Sequence, residues 1–276
     1  MVRCPGLQTN QRCLTQAQPI HYNLASAKPH MRTSSPTMKL DLLAIAAHPD
    51  DVELTCGGTL AKMVAAGYQV GILDLTQGEM GTRGSARIRA REAAAAAKVL
   101  GVQYRENLHL PDARLTPTYE NKLKLAARLR ALRPQTVILP YWEARHPDHY
   151  NTALLGYEAC FLAGLKKLRL KGAPHRPFKI LYSTMYSESA RPTFVVDISD
   201  FFAQRTKAVL CYQSQFKPKG EKAQERIQTR LEELLARVTH IVRHYGMLIG
   251  VKYGEPFLVR ELLQIDDVVK MPVPSI

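Results

Sequence analysis

An apolar run over residues 40–47, interrupted only by Asp41, opens the patterned part of the chain and predicts a buried strand. Residues 57–67 continue with helical spacing and stop at Gly67. Residues 70–76 predict a second strand, followed by a loop that holds Gly78, Gly81 and Gly84. The alanine-rich stretch 86–100 predicts a strong helix ended by Gly101. A short strand near 104–110, a helix over 119–132 stopped at Arg133-Pro134, a β-branched strand over 136–141 and a helix over 151–167 come next. Beyond residue 175 the pattern weakens. It predicts strands at 179–183 and 194–197, a helix over 200–211 and a long charged helix over 221–245. Alternating strands and helices of these lengths predict an α/β fold: a Rossmann-like, doubly wound, mostly parallel sheet with helices on both faces.

Residues 1–37 have a different texture. They carry four prolines, four basic residues, no acidic residue and no periodicity, and they predict a disordered N-terminal extension ahead of a single domain over 38–276. They lack the apolar core of a secretion signal, and no stretch is long and apolar enough to span a bilayer. Five cysteines, odd in number and without Cys-x-x-Cys spacing, are expected to be reduced thiols in a cytoplasmic protein. The net charge is +14; Arg3, Arg12, Lys28 and Arg32 supply four of it and the body carries the rest. The basic residues are scattered and no nucleic-acid recognition motif accompanies them, so the charge points to an anionic small substrate rather than nucleic acid or a membrane.

The chemistry is concentrated at two strand exits. The first strand ends in Ala47-His48-Pro49-Asp50-Asp51, where a dinucleotide-binding fold would carry its glycine-rich turn, and the strand at 136–141 leads to Arg145-His146-Pro147-Asp148-His149. Proline after each His favours an extended exit or turn. A single His-Pro-Asp is a common turn sequence. Two of them at the exits of buried strands, each with one more Asp or His, supply the residue types of a Zn²⁺ site placed where parallel sheets bind ligands, at the C-terminal strand ends. His48 and Asp51 are spaced to converge on one ion, with His149 as third ligand. Asp50 adjoins a ligand and suits a general base; His146 and Asp148 are an imidazole and a carboxylate that can orient or charge it. A protonated His146 would stabilise an oxyanion.

These two motifs, Ala47-His48-Pro49-Asp50-Asp51-Val52-Glu53 and Arg145-His146-Pro147-Asp148-His149, resemble the signatures of the PIG-L/LmbE-like zinc deacetylases, which remove acetyl from conjugated N-acetylglucosamine. The resemblance implies His48, Asp51 and His149 as metal ligands, Asp50 as general base, His146 as electrostatic stabiliser with Asp148 as its partner, and Arg89 and Asp112 as substrate contacts. Residues 78–85, 105–108, 110–112, 212–216 and 249–255 are similar to the bacillithiol-pathway branch, which deacetylates N-acetyl-α-D-glucosaminyl L-malate. Malate carries two carboxylates, for which Arg83, Arg89 and Arg145 are the candidate partners. Some relatives place a Tyr two residues before the second motif or on a loop near the C-terminal part. Here Ala144 holds the first position and residues 217–225 contain no Tyr, so the expectation is that Asp50 acts as both base and acid.

Other aglycones, including those of chitobiose-type deacetylases and thiol-conjugate amidases, are the nearest alternatives. A basic binding protein with a structural metal is the non-enzymatic one; the uncommitted Asp50 and His146 argue against it, since structural zinc sites are closed. A His₂Asp ligand set also accepts Fe²⁺, Co²⁺ or Mn²⁺. Family resemblance further implies a homo-oligomer, a trimer or hexamer.

Overall fold

The apolar run after Lys39 forms strand β1 (Leu42–Ala46), buried along its whole length. In the computed structural model, residues 39–187, 189–216, 224–271 and 273 are described; the extension expected over 1–37 lies outside them. After β1 come helices α1 (Asp51–Thr55) and α2 (Gly57–Ala65), strand β2 (Val70–Thr76), α3 (Ala86–Leu100), β3 (Tyr104–Leu110), α4 (Tyr119–Leu132), β4 (Thr136–Pro140) and α5 (Pro147–Ala163). Strands β5 (Lys179–Ser183) and β6 (Phe194–Asp197), helices α6 (Phe202–Val209), α7 (Gln213–Phe216) and α8 (Gln224–Leu248), and strand β7 (Gly254–Leu258) complete the order.

The strands form one seven-stranded sheet in the order β3-β2-β1-β4-β5-β7-β6. The first five are parallel, whereas β7 runs antiparallel to both β5 and β6. This is the α/β fold expected from the alternation of elements. Side chains of β1 alternate between two cores. Leu43 and Ile45 join one cluster with Leu73, Leu129 and Leu155; Leu42, Ala44 and Ala46 join the other with Leu60, Ala96 and Tyr212. A continuous apolar run is what a strand covered on both faces requires.

Strand order places the chemistry. From β1 the chain moves outward through β2 and β3, then returns to β4 on the other side of β1. The crevice between β1 and β4 is therefore the topological switch point, where ligands bind in open parallel sheets. Both His-Pro-Asp motifs sit at the C-terminal ends of these two strands.

Helices α1 and α7 are additional to the expected elements, and α5 and β7 also depart from expectation. Helix α5 begins at Pro147 rather than 151, because Pro147 fills the first helical turn, where its missing N–H costs nothing. The second motif is thus a helix start and not only a turn. Strand β7 is absent from the sequence-based expectation: Gly254 and Pro256 argue against a strand inserted between two others. Its antiparallel partners tolerate it, Pro256 offering its carbonyl to the Thr184 amide at 3.2 Å.

Candidate active site

Local geometry at the first motif is strained. Asp50 has φ 114° and ψ −27°, a left-handed conformation costing about 1–3 kcal/mol for a non-glycine residue. The turn closes on itself: Asp51 accepts from the His48 amide at 2.9 Å, and the Asp51 amide donates back to the His48 carbonyl at 3.3 Å. Thr76, at the end of β2, pins the preceding residue by donating its amide and hydroxyl to the Ala47 carbonyl. At the second motif His146 caps α5, its Nδ1 accepting from the Asp148 amide at 3.2 Å.

Three ligand-type atoms converge there. The Asp51 carboxylate lies 3.2 Å from His48 Nδ1 and 3.2 Å from His149 Nε2. One ligand atom from each of His48, Asp51 and His149 lies within 4.8 Å of the others, close enough for the three to share one ion. His48 turns its other nitrogen, Nε2, toward Asp112 (3.1 Å) and Asp148 (3.3 Å). A carboxylate behind a metal-binding imidazole is the arrangement that fixes ring orientation and raises basicity. Burial alone would lower the His48 pKa; hydrogen bonds to Asp112, Asp148 and Asp51 outweigh it and push it up to about 12. So much negative charge around buried imidazoles calls for a cation at the centre. Among the described residues, His48, His146 and Asp148 form an overlapping group within reach of a metal. We favour the first set, because the Asp148 oxygens already accept from the Ala113 and Leu115 amides.

Asp50 stands beside the cluster without joining it. Its carboxylate meets the Arg89 guanidinium at 3.0 Å. Arg89 is buried and also donates to the Pro49 and Gly78 carbonyls. Burial raises the Asp50 pKa to about 7 against the opposing pull of Arg89. A carboxyl poised there suits proton transfer near neutrality. The resemblance implies Arg89 as a substrate contact; within the chain its guanidinium shapes the Asp50 turn.

The carboxylate expected to partner His146 is directed elsewhere. Asp148 reaches His48, Ala113 and Leu115, and only its backbone amide meets His146. Burial and the neighbouring His48 and His149 lower the His146 pKa. With Nδ1 accepting, the proton of a neutral ring sits on Nε2, which leaves that N–H to donate. Asp112 is buried, bonded to His48 and to the Met80 amide at 2.8 Å; these contacts hold its carboxyl well below the usual range. It supports the His48 ring and ties the glycine loop to the centre.

The remaining arginines stand further out. Arg145 is exposed next to His146. Arg83 donates to the Gln215 carbonyl at 3.1 Å, and the Gln215 amide returns a bond to the Arg83 carbonyl at 3.2 Å. Two residues in the malate-branch segments are framework: Arg105 bridges Glu53 and Asp74, and Tyr212 is fully buried with its hydroxyl on Glu53.

One residue escapes sequence reasoning. Tyr186, in the turn after β5, stacks on His149 with ring centroids 5.4 Å apart and lines a cavity with Asp51, Ala144 and His149. Burial, then Asp51 and Asp50, raise its hydroxyl pKa well above the ordinary value, so it stays protonated. No spacing in the sequence links position 186 to either motif.

Comparison with known proteins gives concordant results. The PIG-L family profile, described as GlcNAc-PI de-N-acetylase, matches residues 43–160. The chain is 31% identical over 229 residues to diacetylchitobiose deacetylase of Thermococcus kodakarensis, covering 78% of this chain and 80% of that protein. It is 28% identical to the 1D-myo-inositol 2-acetamido-2-deoxy-alpha-D-glucopyranoside deacetylase of Kribbella flavida, over 54% of this chain and 63% of that one. The crystal structure of a conserved protein from Thermus thermophilus superposes with a TM-score of 0.71 at 42% identity, covering 82% of this chain and 98% of that chain.

Proposed function

The chain belongs to the PIG-L family of de-N-acetylases, and from that premise we propose that it is a Zn²⁺-dependent hydrolase of the N-acetyl group of N-acetyl-α-D-glucosaminyl L-malate, releasing acetate and glucosaminyl malate. The observation that carries this reading is the convergence of His48 Nδ1, the Asp51 carboxylate and His149 Nε2 beside an uncommitted Asp50. Those three side chains would hold Zn²⁺, which would supply a Lewis acid for the amide carbonyl and lower the pKa of water.

The chain's own groups do the rest. Asp50 accepts a proton from the attacking water as its oxygen bonds to the acetyl carbon. The His146 Nε2–H donates to the oxygen that gains negative charge. When the C–N bond breaks, the amine takes a proton. Asp50 returns the proton it took, as the sequence-based reading has it, and Tyr186 acts as a relay, giving its hydroxyl proton to the amine as it takes one from Asp50. Arg89 keeps Asp50 aimed at the water.

The malate aglycone rests on charge. Arg83 lies in the glycine loop whose Met80 amide bonds Asp112, Arg145 adjoins His146 in the chain, and Arg binds carboxylate by paired charge-assisted hydrogen bonds. The similarity to diacetylchitobiose deacetylase favours a second reading, a neutral N-acetylglucosaminide substrate. Acetate release from N-acetylglucosaminyl malate and from a neutral methyl glycoside separates the two. One charge-assisted contact is worth about 1.5–3 kcal/mol, so the malate reading expects kcat/KM about 10–100-fold higher for malate and a preference that fades with salt. Equal values for the two substrates assign the neutral one.

A further inference from the structure

The glycine loop after β2, residues 77–85, is tied down at both ends. Toward the site, the Met80 amide donates to Asp112 at 2.8 Å, and Glu79 accepts from the Asp112 amide at 2.8 Å. The other end is held by α7, a helix of four residues. Glu92 of α3 accepts from the Ser214 amide at 2.6 Å and from the Ser214 hydroxyl at 2.7 Å, which docks α7 on α3. Gln215 then reaches the loop. Its carbonyl accepts from Arg83 Nη1 at 3.1 Å, and its side-chain amide donates to the Arg83 carbonyl at 3.2 Å. Gly84 permits this approach: its φ is +74°, and a Cβ there would lie 2.7 Å from Ser214 Oγ.

These contacts leave one edge of the Arg83 guanidinium unused. Arg83 is half-buried, and among the described residues its Nε and Nη2 meet no partner. Those two nitrogens form the fork that pairs with both oxygens of a carboxylate. Arg105 of the same chain uses that edge in this way, its Nε and Nη2 reaching the two Asp74 oxygens at 2.9 and 3.0 Å. Gln215 grips Arg83 by Nη1 and by its backbone, so the plane of the guanidinium is set before a ligand arrives. Setting it in advance reduces the ordering cost of binding, which is largest for a long side chain on a loop with three glycines.

We propose that Glu92 and Gln215 are positioning residues for aglycone recognition: they latch the glycine loop so that the Nε/Nη2 edge of Arg83 is held ready for a carboxylate of the substrate. This rests on the reading of the substrate as an anionic glycoside, and it adds the segment that makes Arg83 selective. Arg83 acts on the aglycone and not on the reacting amide. Weakening its hold therefore removes binding that ground state and transition state share, which raises KM and leaves kcat in place.

Two measurements on the full chain test this together. One is steady-state kinetics with N-acetylglucosaminyl malate and with a neutral methyl glycoside of N-acetylglucosamine. The other is limited trypsin digestion, followed at the bond between Arg83 and Gly84. Glu92→Leu removes both acceptors of Ser214, and Gly84→Ala drives a methyl group against Ser214. Each should raise KM for the malate conjugate about 10-fold, with kcat and the neutral substrate little changed. Each should also speed cleavage after Arg83 about 10-fold, since cleavage follows the population of the open loop. Glu92→Gln should behave as wild type, because its amide oxygen accepts from the Ser214 amide and its NH₂ donates to the hydroxyl. Faster cleavage with equal losses on both substrates overturns the role in recognition. Unchanged cleavage in both Glu92→Leu and Gly84→Ala overturns the latch. Equal kcat/KM of the wild type for the two substrates defeats the malate reading and Arg83's carboxylate with it, whereas the latch still stands or falls by the cleavage rates.

Discussion

Arg89 reaches from the first turn of α3 to place its guanidinium 3.0 Å from the Asp50 carboxylate while donating to the carbonyl of Pro49. One side chain thus holds both the backbone of a left-handed turn and the group that the turn presents. Replacing Arg89 with Met should leave the metal in place and lower kcat about 10–100-fold, the usual value of a charge-assisted hydrogen bond. The pH profile carries the sign. Arg89 favours ionised Asp50, so its loss raises the Asp50 pKa above the value of about 7 that burial and Arg89 set together. A bound cation lowers the limb in both proteins. The acid limb of kcat/KM should therefore lie at higher pH in Arg89→Met than in wild type, and an unshifted limb contradicts the pairing.

Gly78 guards the same contact. Its φ is +65°, and a Cβ there would lie 1.9 Å from an Arg89 terminal nitrogen. Gly78→Ala should reproduce the Arg89 phenotype, with lowered kcat and a shifted acid limb. Gly81→Ala, whose nearest neighbour to a new Cβ is the Gly78 carbonyl at 3.1 Å, should be milder. Steady-state rates for the two variants side by side make the comparison.

Asp112 and Asp148 stand behind His48. Removing such a carboxylate typically costs about 10–100-fold in metal affinity, so Asp112→Asn and Asp148→Asn should each bind metal more weakly in competition with a chelator. An unchanged affinity in both removes them from the support of the site.

Tyr186→Phe keeps the ring on His149 and deletes only the hydroxyl. Loss of a general acid costs about 10²–10⁴-fold, and this variant should lose kcat with little change in KM. An acetanilide-type substrate, whose leaving amine is less basic, should be affected less. A normal rate on the sugar substrate would return the proton to Asp50 alone.

The parts of this site that the sequence displays are those fixed by contiguous motifs. His48, Asp50, Asp51 and His149 follow from two short segments at the exits of apolar strands, and the strand order then brings the exits together. The roles of Arg89 and Tyr186 depend on contacts between elements distant in the chain. Arg89 pairs with a residue 39 positions earlier, and Tyr186 meets His149 only because β5 lies beside β4. His146 is legible as a site residue, but the cap it makes on α5 is not, because that depends on where the helix starts. The start of α5 is masked by Pro147, whose turn-forming and helix-starting roles look alike in sequence, and β7 by Pro256.

The central claim is that Asp50 performs chemistry at a centre held by His48, Asp51 and His149. Metal content and acetate release measured together on wild type and Asp50→Asn test it most directly. The account predicts one metal per chain in both proteins and turnover reduced about 10²–10⁴-fold in the variant, the usual loss on removing a general base. A metal-loaded Asp50→Asn enzyme that releases acetate at the wild-type rate would contradict it.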